Sequence, residues 1–219
     1  MKGRIIVIEG ACDGIGKSTQ YHLLKKELEK NGKVIIHHFP SYNTSQGNGV
    51  EKYLKGEFGE IQRLSPYFVN NLYAYDRAVT WQSSLKKEYE NGATILLDRY
   101  TTSSIIYQAS LIDNIDERKK FIDYITDYEY NKLGIGKPDL VIFLTAPFDL
   151  VTRLRSNRSD NEGIINDIHE KDLDFMKKVY DNAIFVSKYL NWDIINCENG
   201  GEFDTIDNIH DKILSIVNK

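Results

Sequence analysis

Two cysteines, four prolines, two tryptophans and two methionines in 219 residues leave little material for several ways of building a protein. Cys12 and Cys197 make no disulfide framework and do not stand at metal-ligand spacing, which excludes a disulfide scaffold and a zinc ribbon. Thiols used so sparingly suit a reducing cytoplasm. No apolar run approaches the ~18 residues of a membrane-spanning helix. The N-terminus enters a strand-like segment at once, which argues against a signal peptide and for a chain with no membrane partner. An excess of positive charge is missing too: 28 basic against 32 acidic residues give a net charge of −4, so no nucleic-acid partner is expected. Repeats, low-complexity stretches and linkers are also absent. What is present is an ordinary globular composition, 41% apolar and 27% charged, over a length that one α/β domain fills. A single domain over residues 1–219 is the expectation.

Apolar, β-branched runs recur along the chain at Arg4–Ile8, Val34–Phe39, Thr94–Leu97, Leu140–Leu144 and Trp192–Asn196. Runs without polar alternation read as strands buried on both faces, as a parallel sheet requires. Helical stretches separate them. Lys17–Asn31 is amphipathic and stops at Asn31-Gly32, and a long segment runs from Ser65-Pro66 to Asn91-Gly92. Asp116–Leu133, Asp172–Leu190 and Asp204–Asn218 complete the set. This alternation predicts a three-layer α/β fold. The polar stretch Ser156–Gly163 reads as a mobile loop.

The first strand runs into Glu9-Gly10-Ala11-Cys12-Asp13-Gly14-Ile15-Gly16-Lys17-Ser18-Thr19, and Gly16-Lys17-Ser18-Thr19 opens a helix. Strand, glycine-rich turn and helix in this order form a phosphate-binding loop, in which backbone N–H groups and the helix N-terminus face phosphate oxygens. Lys17 would reach the β/γ-phosphates and the Ser18 hydroxyl a Mg²⁺ ion. The common G-x-x-x-x-G-K spacing puts the first glycine at position 11, where this chain has Ala11 after Gly10. Either one residue is inserted around Ala11-Cys12, or Ala11 fills the place directly.

Ligands of a parallel α/β sheet collect at the carboxyl ends of its strands. Phe39-Pro40-Ser41-Tyr42 follows the second strand, Asp98-Arg99-Tyr100-Thr101-Thr102-Ser103-Ser104 the third, and Thr145-Ala146-Pro147 the fourth, before Arg153, Arg155 and Arg158. Asp98 suits Mg²⁺ held through water, and Arg99 a bidentate phosphate contact. A salt bridge between the two is the plain alternative. Asp76-Arg77 lies on the long helix after Tyr67, Phe68, Tyr73 and Tyr75, either as a solvated charged face with core rings beside it or as a base platform. The three arginines read as a surface run on their own, or as charges closing over a phosphoryl group. His169 has no second histidine or cysteine near it and reads as a polar surface or lid residue. Cys12 lacks the Cys-x5-Arg pattern of a cysteine phosphatase and reads as a packed side chain.

Together Asp13-Gly14-Ile15-Gly16-Lys17-Ser18-Thr19-Gln20, Phe39-Pro40-x-Tyr42, Gly56-Glu57-Phe58-Gly59, Asp76-Arg77, Asp98-Arg99-Tyr100 and Lys137-Pro138-Asp139 resemble the thymidylate kinases over most of the chain. The loop is generic; Asp-Arg-Tyr combined with Phe-Pro-x-Tyr is specific. The resemblance implies a P-loop kinase fold with a five-stranded parallel sheet flanked by helices, and a homodimer. It also implies transfer of the γ-phosphoryl of ATP to dTMP, giving dTDP and ADP, with Mg²⁺ between the nucleotides. It implies that Gly10, Asp13, Gly14, Ile15, Gly16, Lys17, Ser18, Thr19 and Arg153 bind ATP, and that Ser18 and Asp98 hold the metal. Asp13, Phe39, Tyr42, Arg99 and Tyr107 would bind dTMP, with Asp13 near its phosphate and sugar, Arg99 on the phosphate and Tyr107 against the sugar 2′ position. Tyr73 would stack on thymine, Arg77 would bond its O4, and Ser103 and Ser104 its N3 edge. Lys17, Arg99, Asp13 and Arg158 would act in catalysis, with a lid around residues 153–167. Ser104 stands where asparagine is common, and Tyr42 where many relatives carry arginine. Two rivals stand beside this reading. A deoxynucleoside kinase of the same architecture would use Glu9 as the base for a 5′-hydroxyl, and a non-catalytic regulator would bind nucleotide without turnover.

Overall fold

The computed structural model describes residues 2–12, 14–153 and 173–218, without the Gln62 side chain. Asp13, Arg155, Arg158, His169, the stretch Ser156–Gly163 and most of the expected lid lie outside the described residues.

Five parallel strands form the central sheet: β1 (Arg4–Gly10), β2 (Val34–His38), β3 (Thr94–Asp98), β4 (Leu140–Thr145) and β5 (Asp193–Asn196), in the order β2-β3-β1-β4-β5. The three inner strands are the most apolar, and Ile5, Ile6, Val7, Ile8, Ile95, Leu96, Leu97, Ile142, Phe143 and Leu144 are fully buried. The edge strands depart from that pattern. Ile36 of β2 and Ile194 of β5 are about two-fifths exposed, as a strand with one open side permits.

Helices cover both faces. On one face, Leu24 of α1 (Lys17–Leu28) and Ile209 and Ile213 of α9 (Ile206–Val217) pack on Ile6, Ile8, Ile142 and Leu144. On the other, Trp81 and Leu85 pack on Ile5, Val7, Ile95 and Leu97. They come from a π-helical turn, Trp81–Leu85, which joins α3 (Pro66–Thr80) to α4 (Lys86–Glu90). The segment expected as one long helix therefore changes its winding midway.

Between β3 and β4 lie α5 (Thr101–Tyr107) and α6 (Ile115–Thr126), the latter capped by the Asn114 side chain and continued by a π-turn, Asp127–Lys132. Residues 148–153 are helical (α7), and α8 (Leu173–Tyr189) packs Phe175, Val179 and Ala183 against Ile106 and Phe143. Three elements had no clear sequence signal: α2 (Asn48–Leu54), α5, and a hairpin of β6 (Glu198–Asn199) with β7 (Glu202–Phe203). The Lys137-Pro138-Asp139 motif has a structural task, since Asp139 Oδ2 accepts the Ile5 amide at 2.7 Å and so fixes the start of β1.

Candidate active site

β1 pairs with β4 through Gly10↔Leu144, and the Ala11 amide donates to the Leu144 carbonyl at 3.2 Å. Ala11 packs with Phe143 and Ile106, and Cys12 with Ile15 and Leu144, so successive side chains enter the cores on opposite sides of the sheet. Ala11 and Cys12 thus continue the buried end of β1. A Cβ on Gly10 would stand 2.8 Å from Ile15 Cγ2, so the close return of Ile15 requires glycine there. Gly16, at φ +80°, turns the chain into α1 in a left-handed conformation that glycine adopts without strain.

Lys17 leaves the first turn of α1 and places Nζ 2.7 Å from Asp98 Oδ1, with both side chains about nine-tenths buried. The register brings His38 beside Asp98, and His38 Nδ1 lies 2.9 Å from Oδ2. Burial raises the Asp98 carboxyl, but the His38 hydrogen bond and the Lys17 charge outweigh it and hold the group well below the usual carboxylate range. Asp98 therefore pairs with Lys17 and His38. Arg99 instead lies 3.9 Å from Glu9 and 5.5 Å over the Tyr107 ring. Its backbone is left-handed at φ 64°, a conformation that costs a non-glycine residue about 1–2 kcal/mol.

Glu9 is fully buried. It accepts from Thr102 Oγ1 at 2.9 Å, from Ser103 Oγ at 2.5 Å and from the Gly10 amide at 3.1 Å. A carboxylate enclosed in this way is not placed to take a proton from a nucleoside hydroxyl.

Asp76 and Arg77 are both buried, so they form no solvated face. Asp76 accepts the Ser41 amide at 2.7 Å and ties α3 to the loop after β2, where the Phe39-Pro40 bond is cis. Arg77 is clamped by Glu129, Nε to Oε2 at 2.6 Å and Nη2 to Oε1 at 2.7 Å, and Nη2 also donates to Ser104 Oγ at 2.8 Å. Burial opposes the charge of Arg77, but Glu129 outweighs it and the guanidinium is held above its ordinary value. Tyr73 lies under it, 6.0 Å from ring centre to guanidinium carbon.

Lys17, His38, Asp98, Arg99, Arg77 and Tyr73 line one cleft of about 260 Å³, with Glu9, Asp76 and Glu129 behind its wall. Lys17, Ser18 and Asp98 border it together, as do Phe39, Tyr42, Tyr73, Arg77 and Arg99, and Ser103, Ser104 and Tyr107 from α5. Ile15 turns into the core and Thr19 is exposed. Arg153 is apart from the cleft, exposed and 2.7 Å from Glu202 of the hairpin. Gln108, which the sequence does not single out, also lines the cleft; it is 2% exposed and its Oε1 accepts no bond. Glu129 and His38 are likewise visible only in the structure, although His37-His38 at a strand's carboxyl end was a signal of sorts.

The family model for thymidylate kinase matches residues 8–213. The chain belongs to the thymidylate kinase family. The thymidylate kinase of Exiguobacterium sp. is 30% identical over 181 residues, 82% of this chain and 79% of that one. The thymidylate kinase of Schizosaccharomyces pombe is 29% identical over 223 residues, 99% of this chain and 92% of its own. Among solved structures, the thymidylate kinase of Candida albicans superposes with a TM-score of 0.74 at 25% identity, covering 99% of this chain and 92% of that one. The α/β P-loop kinase fold is thereby established.

The donor atoms suit the metal that this family membership implies. Among the described residues no three His, Cys, Asp or Glu side chains converge to hold an ion. A hydroxyl from Ser18 and a carboxylate from Asp98 border the same cleft. So sparse an oxygen set fits Mg²⁺, which keeps several waters and takes further ligands from substrate phosphates. No helix among the described residues is long and apolar enough to cross a membrane.

Proposed function

We propose that this chain transfers the γ-phosphoryl group of ATP to dTMP, giving dTDP and ADP. The observation that carries this reading is a single cleft bordered by the phosphate-loop Lys17, by Arg99, and by the buried Arg77 beside Tyr73. Phosphoryl transfer asks the protein for alignment and charge neutralisation. Its acceptor is an already ionised phosphate oxygen, which needs no general base. The enclosure of Glu9 favours that acceptor over a nucleoside 5′-hydroxyl.

In this reading Lys17 binds the transferring phosphoryl and Arg99 holds and aligns the acceptor phosphate. Ser18 and Asp98 hold Mg²⁺, which supplies neutralisation of phosphate charge when bound. Gly10, Gly14 and Gly16 shape the loop, with Arg153 toward the adenine end; Asp13 and Arg158 keep their proposed roles beside the phosphates. Tyr73 stacks on thymine and Arg77 donates to its O4. The Ser103 hydroxyl is committed to Glu9, whereas Gln108 Oε1 offers an acceptor for the N3–H. Tyr107, under Arg99, crowds the sugar. Polar edges discriminate far more than a methyl pocket does, so dUMP serves as a poorer substrate.

The active form is proposed to be a homodimer in the cytoplasm, where the two buried free thiols stay reduced. A panel of dTMP, dUMP, dGMP, AMP and thymidine with ATP and Mg²⁺ tests the activity. ADP release with dTMP foremost and none with thymidine is expected. Turnover of thymidine without turnover of dTMP overturns the reading.

A further inference from the structure

Arg77 and Glu129 are the most secluded ion pair among the described residues, at 1% and 0% side-chain exposure. The pair joins α3 to the π-turn after α6 across 52 positions of sequence. A guanidinium carries five N–H groups. Nε and one Nη2 hydrogen go to Glu129, the other Nη2 hydrogen goes to Ser104 Oγ, and Nη1 reaches the Tyr100 carbonyl at 3.4 Å. One Nη1 hydrogen is left for a ligand. Glu129 is itself held, since Thr101 Oγ1 donates to its Oε2 at 2.9 Å.

Among the described residues two arginines border the cleft, and an acceptor nucleotide with a phosphate at one end must not enter reversed. Arg77 has its charge matched by an adjacent carboxylate and four of its five N–H groups engaged. A phosphate asks for an open, uncompensated fork, which Arg77 no longer offers. A base carbonyl asks for one N–H, which Arg77 retains. Cytosine would set its 4-amino donor against that N–H and leave both unpaired in a buried site.

We propose that Glu129 is the specificity-determining positioning residue of the acceptor site: its clamp turns Arg77 from a phosphate-binding fork into a single-donor reader of a pyrimidine 4-carbonyl. The proposal rests on the dTMP kinase reading above. Glu129 touches no substrate and acts through Arg77.

The test is Glu129→Gln, which keeps the shape and removes the charge. The KM for dTMP is expected to rise about tenfold and the preference for dTMP over dCMP to fall by a similar factor, while the KM for ATP changes less than about twofold. Inorganic phosphate should compete with dTMP more strongly than it does in the parent, because Arg77 regains an open charge. A merely structural role would move the ATP and dTMP constants together and leave both the base preference and the phosphate competition unchanged; that result overturns the proposal. Where Glu129→Gln does not fold, Thr101→Val loosens the clamp with both charges kept, and a shift of base preference in the same direction by about twofold is expected; an unchanged preference overturns it. A parent inactive on dTMP would overturn the clamp together with the reading it rests on, whereas an active parent with unaltered variants overturns the clamp alone.

Discussion

Gln108 and Asp98 each make a separate case at the scale of single residues. A buried amide oxygen without a hydrogen bond costs about 1–3 kcal/mol, and a ligand N–H that fills the place recovers part of it. Gln108→Leu is therefore expected to raise the KM for dTMP about tenfold and leave that for ATP unchanged, measured by steady-state kinetics against each nucleotide. The Asp98 carboxyl is held below its ordinary value of 3.8, so its contribution to stability is whole above that value. That contribution fades as pH falls from there toward the lower folded value. The stability gap between the parent and Asp98→Asn should then be constant around neutrality and narrow below about pH 4, as urea unfolding across pH would register. Lys17→Ala removes a charge from the transferring phosphoryl and should lower kcat by about 10²–10³ with the melting curve still cooperative. Lys17, Asp98, Arg99 and Arg77 were legible as chemistry because each follows a strand or marks a helix in a recognisable run. Their partners were not. Glu129 sits among ordinary charged helix residues, and only the packing of α3 against the turn after α6 singles it out.

At the scale of elements, one buried group stands apart. Asn70 of α3 is fully buried, and both of its side-chain polar atoms lack a hydrogen-bond partner. It lies one turn before Tyr73 on the helix that carries Arg77. Leucine keeps the same branching at Cγ and has no polar atoms to strand, so Asn70→Leu is expected to stabilise the fold by about 1–2 kcal/mol in urea unfolding. A destabilisation would mean that an ordered water completes the amide. The strands were legible to within one or two residues, because β1, β3 and β4 are buried on both faces and their apolar runs are continuous. The short helices were not. Thr101-Thr102-Ser103-Ser104 favours turns by its own propensity, and α5 forms because Ile105 and Ile106 are drawn into the core beside α6 and α8. The segment after Ser65 reads as a helix throughout, but its period hides the π-turn at Trp81, which sets two large side chains on the sheet.

At the scale of the whole molecule, the layers that bury the site leave one face unsatisfied. The sheet and its two helical layers place the cleft at the carboxyl ends of β1, β2 and β3, and α3 carries Tyr73, Arg77 and Asp76 on its inner side. Its outer side carries Tyr67, Phe68 and Tyr75 at 42%, 41% and 60% exposure, rings spaced along one helical stripe. Tyr124 of α6, 40% exposed, lies 5.0 Å from Tyr67, and Phe58 lies 5.6 Å from Phe68, so the stripe widens into a patch shared by two elements. Aromatic patches of this kind mark contact surfaces, and rings near the centre of such a surface carry most of its energy. This is the physical support for the proposed homodimer, and it ties assembly to the site, because the helix that would meet its copy also presents Arg77 to the base. Sedimentation should give a particle of twice 25.3 kDa. Tyr75→Glu would set two like charges near one another across a symmetric contact and should shift the particle to the monomer at micromolar concentration. If α3 is held in place partly by that contact, the monomer should also show a weakened KM for dTMP before any change in that for ATP. A monomeric parent, or a Tyr75→Glu variant that stays dimeric, would locate the contact elsewhere.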